Sequence, residues 1–314
     1  PMMCLSDKNL ELGGTAFLGD MTERQYLQLD ATFGKDNAFA ASWFIDVLPP
    51  SLSLGYSRYA YKGAYGYGDD VDGLRETPDD LLVRDLKFEQ LAEDVWLYAT
   101  WAASDVLWFS GGVDASRYSF RDAGDGAGFV PFVVNSGLGF NVEYLGYGYN
   151  DDYWINPRGG RQVYLDYGLR HTAIVDPEVA GAVIDDGERL ERYTYHRLEA
   201  GWTEYIPVAT HATFEVAVQG GWINRNVLGW DEFIAGGRHP YDWGPGTIGS
   251  NAQFAGYEGW SLYGESMLIA AGAWRFPLAR DLNLRAGPWY TDQLYLQLGG
   301  TVGNLWSYRV EGPS

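Results

Sequence analysis

Four histidines, one cysteine and a scatter of acids are the residues of this chain whose types lend themselves to chemistry. His171, His196, His211 and His239 contain no His-x-x-x-His pair. The single cysteine, Cys4, removes the Cys-based zinc patterns and any intrachain disulfide. There is no Gly-x-Ser-x-Gly elbow to expose a nucleophile. Gly66-Tyr67-Gly68 and similar runs are not followed by a helical stretch, so a phosphate-binding reading fails. His171 with Asp176 is the one place that resembles the acid–His pairs some barrel enzymes carry at a rim. One such pair is too little to make the chain an enzyme, and no cofactor is implied. Two acid-rich stretches stand out. Asp69, Asp70, Asp72, Glu76, Asp79 and Asp80 form one, and Glu178, Asp185, Asp186, Glu188 and Glu191 the other. Neither has the ligand spacing of a calcium loop, and both read as solvated acidic loops. The formal net charge of −20, with no Lys/Arg-rich run, excludes nucleic acid as a partner.

The elements that carry these residues alternate with period two almost throughout. Leu27, Leu29, Ala31 and Phe33 oppose Tyr26, Gln28, Asp30 and Thr32. Phe214, Val216 and Val218 oppose Thr213, Glu215, Ala217 and Gln219, and Leu294, Leu296 and Leu298 oppose Gln293, Tyr295, Gln297 and Gly299. No segment has a 3.6-residue period and no run of about 18 apolar residues exists, so no membrane helix is expected. The spacing predicts twelve strands near 10–19, 22–34, 37–47, 51–61, 85–102, 105–120, 128–149, 161–176, 192–206, 211–227, 260–276 and 282–303. Several exceed a dozen residues, against about five or six in ordinary soluble domains. The connections sort by side. Those after odd-numbered strands are mostly short, while the three longest, 62–84, 177–191 and 228–259, all follow even-numbered strands. Short turns on one side and long loops on the other are the habit of outer-membrane barrels.

Composition agrees. The chain has 23 Tyr and 13 Trp among 314 residues, and its mean hydropathy is −0.24. A wall with lipid outside and water inside needs only every second residue to be apolar. Trp43, Tyr61, Trp108, Trp154, Trp222 and Trp274, with others near expected strand ends, fit an aromatic girdle at the two membrane interfaces.

Asn156-Pro157-Arg158-Gly159-Gly160-Arg161, then Phe233-Ile234-Ala235-Gly236-Gly237 with Phe254-Ala255-Gly256-Tyr257, then Gly303-Asn304-Leu305-Trp306, taken in this order and spacing between about 138 and 306, resemble the bacterial surface-antigen superfamily of outer-membrane barrels. Its members include the insertase BamA, the transporters of two-partner secretion, and barrels associated with TolB-like propellers. Asn156, Pro157 and Gly159 look like the family's Asn-Pro-x-x-Gly periplasmic turn. Phe233-Ile234-Ala235-Gly236-Gly237, then Phe254-Ala255-Gly256-Tyr257, look like its long sixth loop, which folds into the lumen. Gly303-Asn304-Leu305-Trp306 looks like its Gly-Asn-x-Trp motif. The family holds that loop by an Arg on the loop and an acid on the wall. Here those positions are Ala255 and Thr301, so both partners of the ion pair are missing together, which spares the chain a stranded buried charge.

The resemblance implies an antiparallel up-and-down transmembrane β-barrel in a bacterial outer membrane. It would be one domain over 1–314, with about 12 strands here and 14–16 in a complete family barrel, the last strands being possible omissions. The expected partners are outer-membrane lipid and a protein in a larger assembly. Three functions stay open: a membrane platform or passage, a simple diffusion pore or structural barrel, and a soluble secreted all-β glycan-binding protein.

Overall fold

The computed structural model describes residues 2–6, 9–20, 24–33, 37–47, 49–65, 86–122, 129–147, 159–175, 191–227, 231–236, 252–253, 262–287 and 289–307. Among them every regular element is a strand: β1 (Met2–Ser6), β2 (Asn9–Gly19), β3 (Gln25–Phe33), β4 (Asn37–Ile45), β5 (Ser51–Tyr65), β6 (Leu86–Ser104), β7 (Leu107–Asp122), β8 (Val130–Tyr147) and β9 (Gly160–Ile174). They continue with β10 (Arg192–Ala209), β11 (Ala212–Ile223), β12 (Phe233–Gly236), β13 (Ala252–Gln253), β14 (Leu262–Gly264), β15 (Ser266–Ala279), β16 (Leu284–Ala286), β17 (Trp289–Thr291) and β18 (Leu294–Trp306).

Thirteen of these strands form one sheet in the order β1 to β11, then β15, then β18. Each strand lies beside its predecessor in the chain except where the 224–265 connection and the β16–β17 hairpin intervene. That is the up-and-down arrangement the alternating turns imply. The registers carry the two-residue period from strand to strand. Phe214 faces Trp274 and Ile206, Val218 faces Ala270 and Trp202, and Trp274 faces Leu298. Apolar residues therefore continue in rows across neighbouring strands, and so do polar ones.

Burial separates the two faces in an inverted way. On β10, Tyr193, Tyr195, Glu199 and Tyr205 are buried, while Leu198, Trp202 and Ile206 are exposed. On β11, Thr213, Glu215 and Gln219 are buried, while Phe214 and Trp222 are exposed. A water-soluble sandwich would do the reverse. An apolar face turned outward and a polar face turned inward suits a wall between lipid and a polar interior. From Phe214 to Trp222, β11 climbs about 3.4 Å per residue, or roughly 27 Å. Tilted by about 40°, this covers roughly 20 Å, close to the apolar band of about 25 Å in such barrels.

The contacts divide the chain into two compact units. One comprises Pro1–Trp101, Gly111–Leu138 and Arg170–Thr194, and the other Ala102–Ser110, Gly139–Leu169 and Tyr195–Ser314. In the first, Tyr98 Oη donates to Asp114 at 2.8 Å, and the same carboxylate pairs with Arg170. In the second, Asn141 donates to Asp166 at 2.6 Å and Gln162 to Glu143 at 3.0 Å.

All twelve expected strands are present, most to within a few residues. Two differences stand out. Met2–Ser6 adds a strand the alternation did not reveal. Residues 282–293 do not begin the last strand but hold the β16–β17 hairpin, so the connection after β15 is longer than expected. The cause is local: Asp281 and Asn283 take positive φ of 56° and 48°, which breaks the extended chain.

Candidate functional site

The polar face of β10, β11 and β15 is the most heavily covered polar surface of the described residues, and it is built from neighbouring strands. Arg275 on β15 and Glu215 on β11 form an ion pair, with side chains only 4% and 6% exposed. Arg275 Nε also donates to Gln297 on β18 at 3.0 Å, so one guanidinium ties three strands together. Three same-face steps along the ladder, Glu199 collects three partners. Gln219 Nε2 donates to it at 2.7 Å, Tyr164 Oη donates at 3.1 Å, and Arg197 lies 3.6 Å away. A buried charge is tolerable only when paired and hydrogen-bonded in this way.

A piece of the 224–265 connection lies on this wall. β12 pairs with β14 antiparallel and with β13 in parallel, making a small sheet of its own. Phe233, at the head of β12, is 1% exposed. Its ring fills the place where Gly221 has no side chain: a Cβ on Gly221 would stand 2.4 Å from the ring. Arg197 closes the other side, its guanidinium carbon 4.2 Å from the ring centre and Nη1 donating to the Asp231 carbonyl at 3.3 Å. The base of the connection is fastened too. Ile223 N–H donates to the Glu265 carbonyl at 2.8 Å, and Val227 N–H to the Glu265 carboxylate at 3.4 Å. Gly264 lets the backbone of Trp306 approach where a Cβ would clash at 2.7 Å.

The expected site residues are distributed as follows. Phe254, Ala255, Gly256 and Tyr257 lie outside the described residues, as do Asn156 and Pro157. Thr301 stands on β18 opposite Ala271. Gly159 has φ of +140°, which favours glycine, and its open side faces the Pro207 ring. Trp43, Trp222 and Trp274 are exposed, with Trp222 and Trp274 in the apolar rows of β11 and β15. Trp108 is half-buried, Tyr61 lies in β5 with its side chain outside the described set, and Trp154 lies outside it altogether. His171 meets Thr194 at 2.9 Å and His196 meets the Tyr167 hydroxyl at 2.7 Å. Asp176 is outside the described residues.

Sequence reasoning missed the Arg275–Glu215 pair and the Arg197–Phe233 contact. The one available signal was opposite charges on the polar faces of strongly alternating strands.

No protein-family model and no curated protein matches the chain. Solved structures do. CdiB from Acinetobacter baumannii aligns over 97% of this chain and 48% of its own, at 11% identity and a TM-score of 0.53. BamA from Haemophilus ducreyi lacking POTRA domains 1–3 aligns over 93% of this chain and 57% of its own, at 10% identity and a TM-score of 0.53. The fold is the antiparallel up-and-down β-barrel fold of these two structures. The likeness is one of fold, and the chain spans about half the length of the structures it matches. Phe233 belongs to a loop segment laid against the polar face of the sheet.

Proposed function

We propose that the chain forms a barrel of the bacterial outer membrane that works as a membrane platform or regulated passage, its lumen wall covered in part by its own 224–265 connection. The observation that carries this is the seat of Phe233 between Gly221 and Arg197. A loop segment fixed on the wall by a fitted aromatic ring and a guanidinium narrows the passage that the wall would enclose, which favours a controlled passage over a wide open pore. The soluble glycan-binding alternative is disfavoured by the rows of exposed Leu, Val, Phe and Trp on successive strands, since a contiguous apolar surface of that size marks a membrane or partner surface. A periplasmic or surface protein partner belongs to the same proposal, as the reason a platform would exist.

The test is electrical. In planar bilayers the intact protein is expected to conduct little, and deletion of 228–261 is expected to raise conductance several-fold. A large, steady conductance in the intact protein would support the plain pore. A protein partner would be sought by mild detergent purification from its native membrane.

A further inference from the structure

Most charges on the described strands lie on the polar face, but Arg161 with Glu204, and a cluster around Glu93, lie on the other. On β6, Glu93 shares its face with Val95 and Leu97, both exposed. Arg58 on β5 stands directly opposite Glu93 in the ladder, and Tyr56 opposite Val95. Tyr56 Oη donates to Glu93 Oε1 at 2.9 Å, and Arg117 of β7 pairs with Glu93, its Nε donating to Oε2 at 2.9 Å. The Arg117 side chain is 52% exposed and that of Glu93 16%. We propose that Arg58, Arg117 and Tyr56, gathered around Glu93, hold the phosphorylated headgroup of an outer-leaflet lipid. This rests on the membrane reading above.

Three observations point to that occupant. The first is height. The group lies near the middle of β5 and of β6, where the exposed apolar residues Trp101, Leu97 and Val95 of β6 give way to charge; Trp101 to Glu93 is about 27 Å of strand, roughly the apolar band of such a barrel once tilted. A charge on the lipid face costs about 2–4 kcal/mol at the bilayer midplane but only about 0–1 near the interface, so the group belongs at headgroup level. On the same face, Leu91, one step further toward the connection, is already buried. The second is charge. Arg117 pairs with Glu93 and Arg58 stands opposite it in the ladder, so two guanidiniums flank one carboxylate, leaving a local excess of positive charge in a chain of net charge −20. The third is chemistry. Guanidinium donors match phosphate oxygens in fixed, forked geometry, and Arg sheds its water more readily than Lys. By contrast, Arg161 and Glu204 form a balanced pair, Arg161 Nε 3.2 Å from Glu204 Oε2, at the short-turn end of β9 and β10, and have no such excess.

The experiment uses the full chain in neutral maltoside micelles. Binding of diphosphoryl lipid A is measured beside a neutral glycolipid and inorganic phosphate, and the unboiled gel shift is recorded in the same samples. The wild type is expected to bind lipid A in preference to the neutral lipid. The double variant R58Q/R117Q is expected to bind it about ten- to thirtyfold more weakly, from about 1 kcal/mol per Arg near the surface. R161Q is expected to bind as wild type. E93Q, which frees Arg117 and removes the carboxylate opposite Arg58, is expected to bind severalfold more tightly, a gain that misfolding does not produce. Equal binding by wild type and R58Q/R117Q, weaker binding by E93Q, an equal loss in R161Q, or displacement of the lipid by millimolar inorganic phosphate would each overturn the assignment. A sample without any gel shift contradicts the membrane reading itself, whereas one that shifts but ignores lipid A contradicts only this site.

Discussion

The polar face of β2–β4 and that of β10, β11 and β15 follow the same alternation and end in different states. On β2–β4 the polar groups serve each other at the surface. Thr15 donates to Asp30 at 2.6 Å, Gln28 donates to the same carboxylate at 2.7 Å, and Phe17 on that face is 64% exposed. On β10, β11 and β15, Glu199, Glu215, Gln219 and Arg275 are buried. Residue type does not explain the difference, since both faces carry acids, amides and aromatics. What differs beside Glu199 and Gln219 is a loop segment seated on the wall, with Phe233 against Gly221, while Glu215 and Arg275, further along the ladder, pair with each other. Alternation decides which way a side chain points, and its neighbours decide whether it meets water.

The contrast breaks most sharply at the buried ion pair. Arg275→Ala strands Glu215 in a covered wall and is expected to cost about 3–5 kcal/mol, read as a lower urea midpoint of the gel-shifted form. On the lipid side the two regions should behave alike. Val218→Arg on β11 and Leu29→Arg on β3 are each expected to cost about 2–4 kcal/mol, and a large disparity between them would mean that the two apolar faces meet different surroundings. Gly221→Val places atoms where the Phe233 ring sits. It is expected to cost about 1–3 kcal/mol and to open the 224–265 connection to added protease, while Gly14→Val, with nothing within 4 Å of its Cβ, leaves protease resistance unchanged. Smallest of all is Asp30→Asn, expected to stay within about 0.5 kcal/mol because its partners are near water.

How much of this was legible depended on range. The twelve strands were readable because alternation is local and each is long. β1 was not, since Met-Met-Cys-Leu-Ser has no alternation and its place is set by pairing with β2. The hairpin at 284–291 hid because Leu284, Ala286 and Trp289 look like a continuing strand, while the positive φ at Asp281 and Asn283 is a backbone event that asparagine and aspartate only permit. The site was legible in outline alone. The resemblance suggested a loop turned inward, and Ala255 and Thr301 told against the family's usual fastening. The Arg275–Glu215 and Arg197–Phe233 contacts join residues 60 and 36 positions apart, and only the register of β10, β11 and β15 brings them together.

The most direct measurement is a nitroxide scan of 213–219 on a Cys4→Ser background in lipid bilayers, comparing access of dissolved oxygen with that of a polar relaxant. Oxygen is expected to dominate at positions 214, 216 and 218 and to fall at 213, 215, 217 and 219. A flat profile, or high polar access at 214, 216 and 218, would contradict a wall with lipid on one side and a polar lumen on the other.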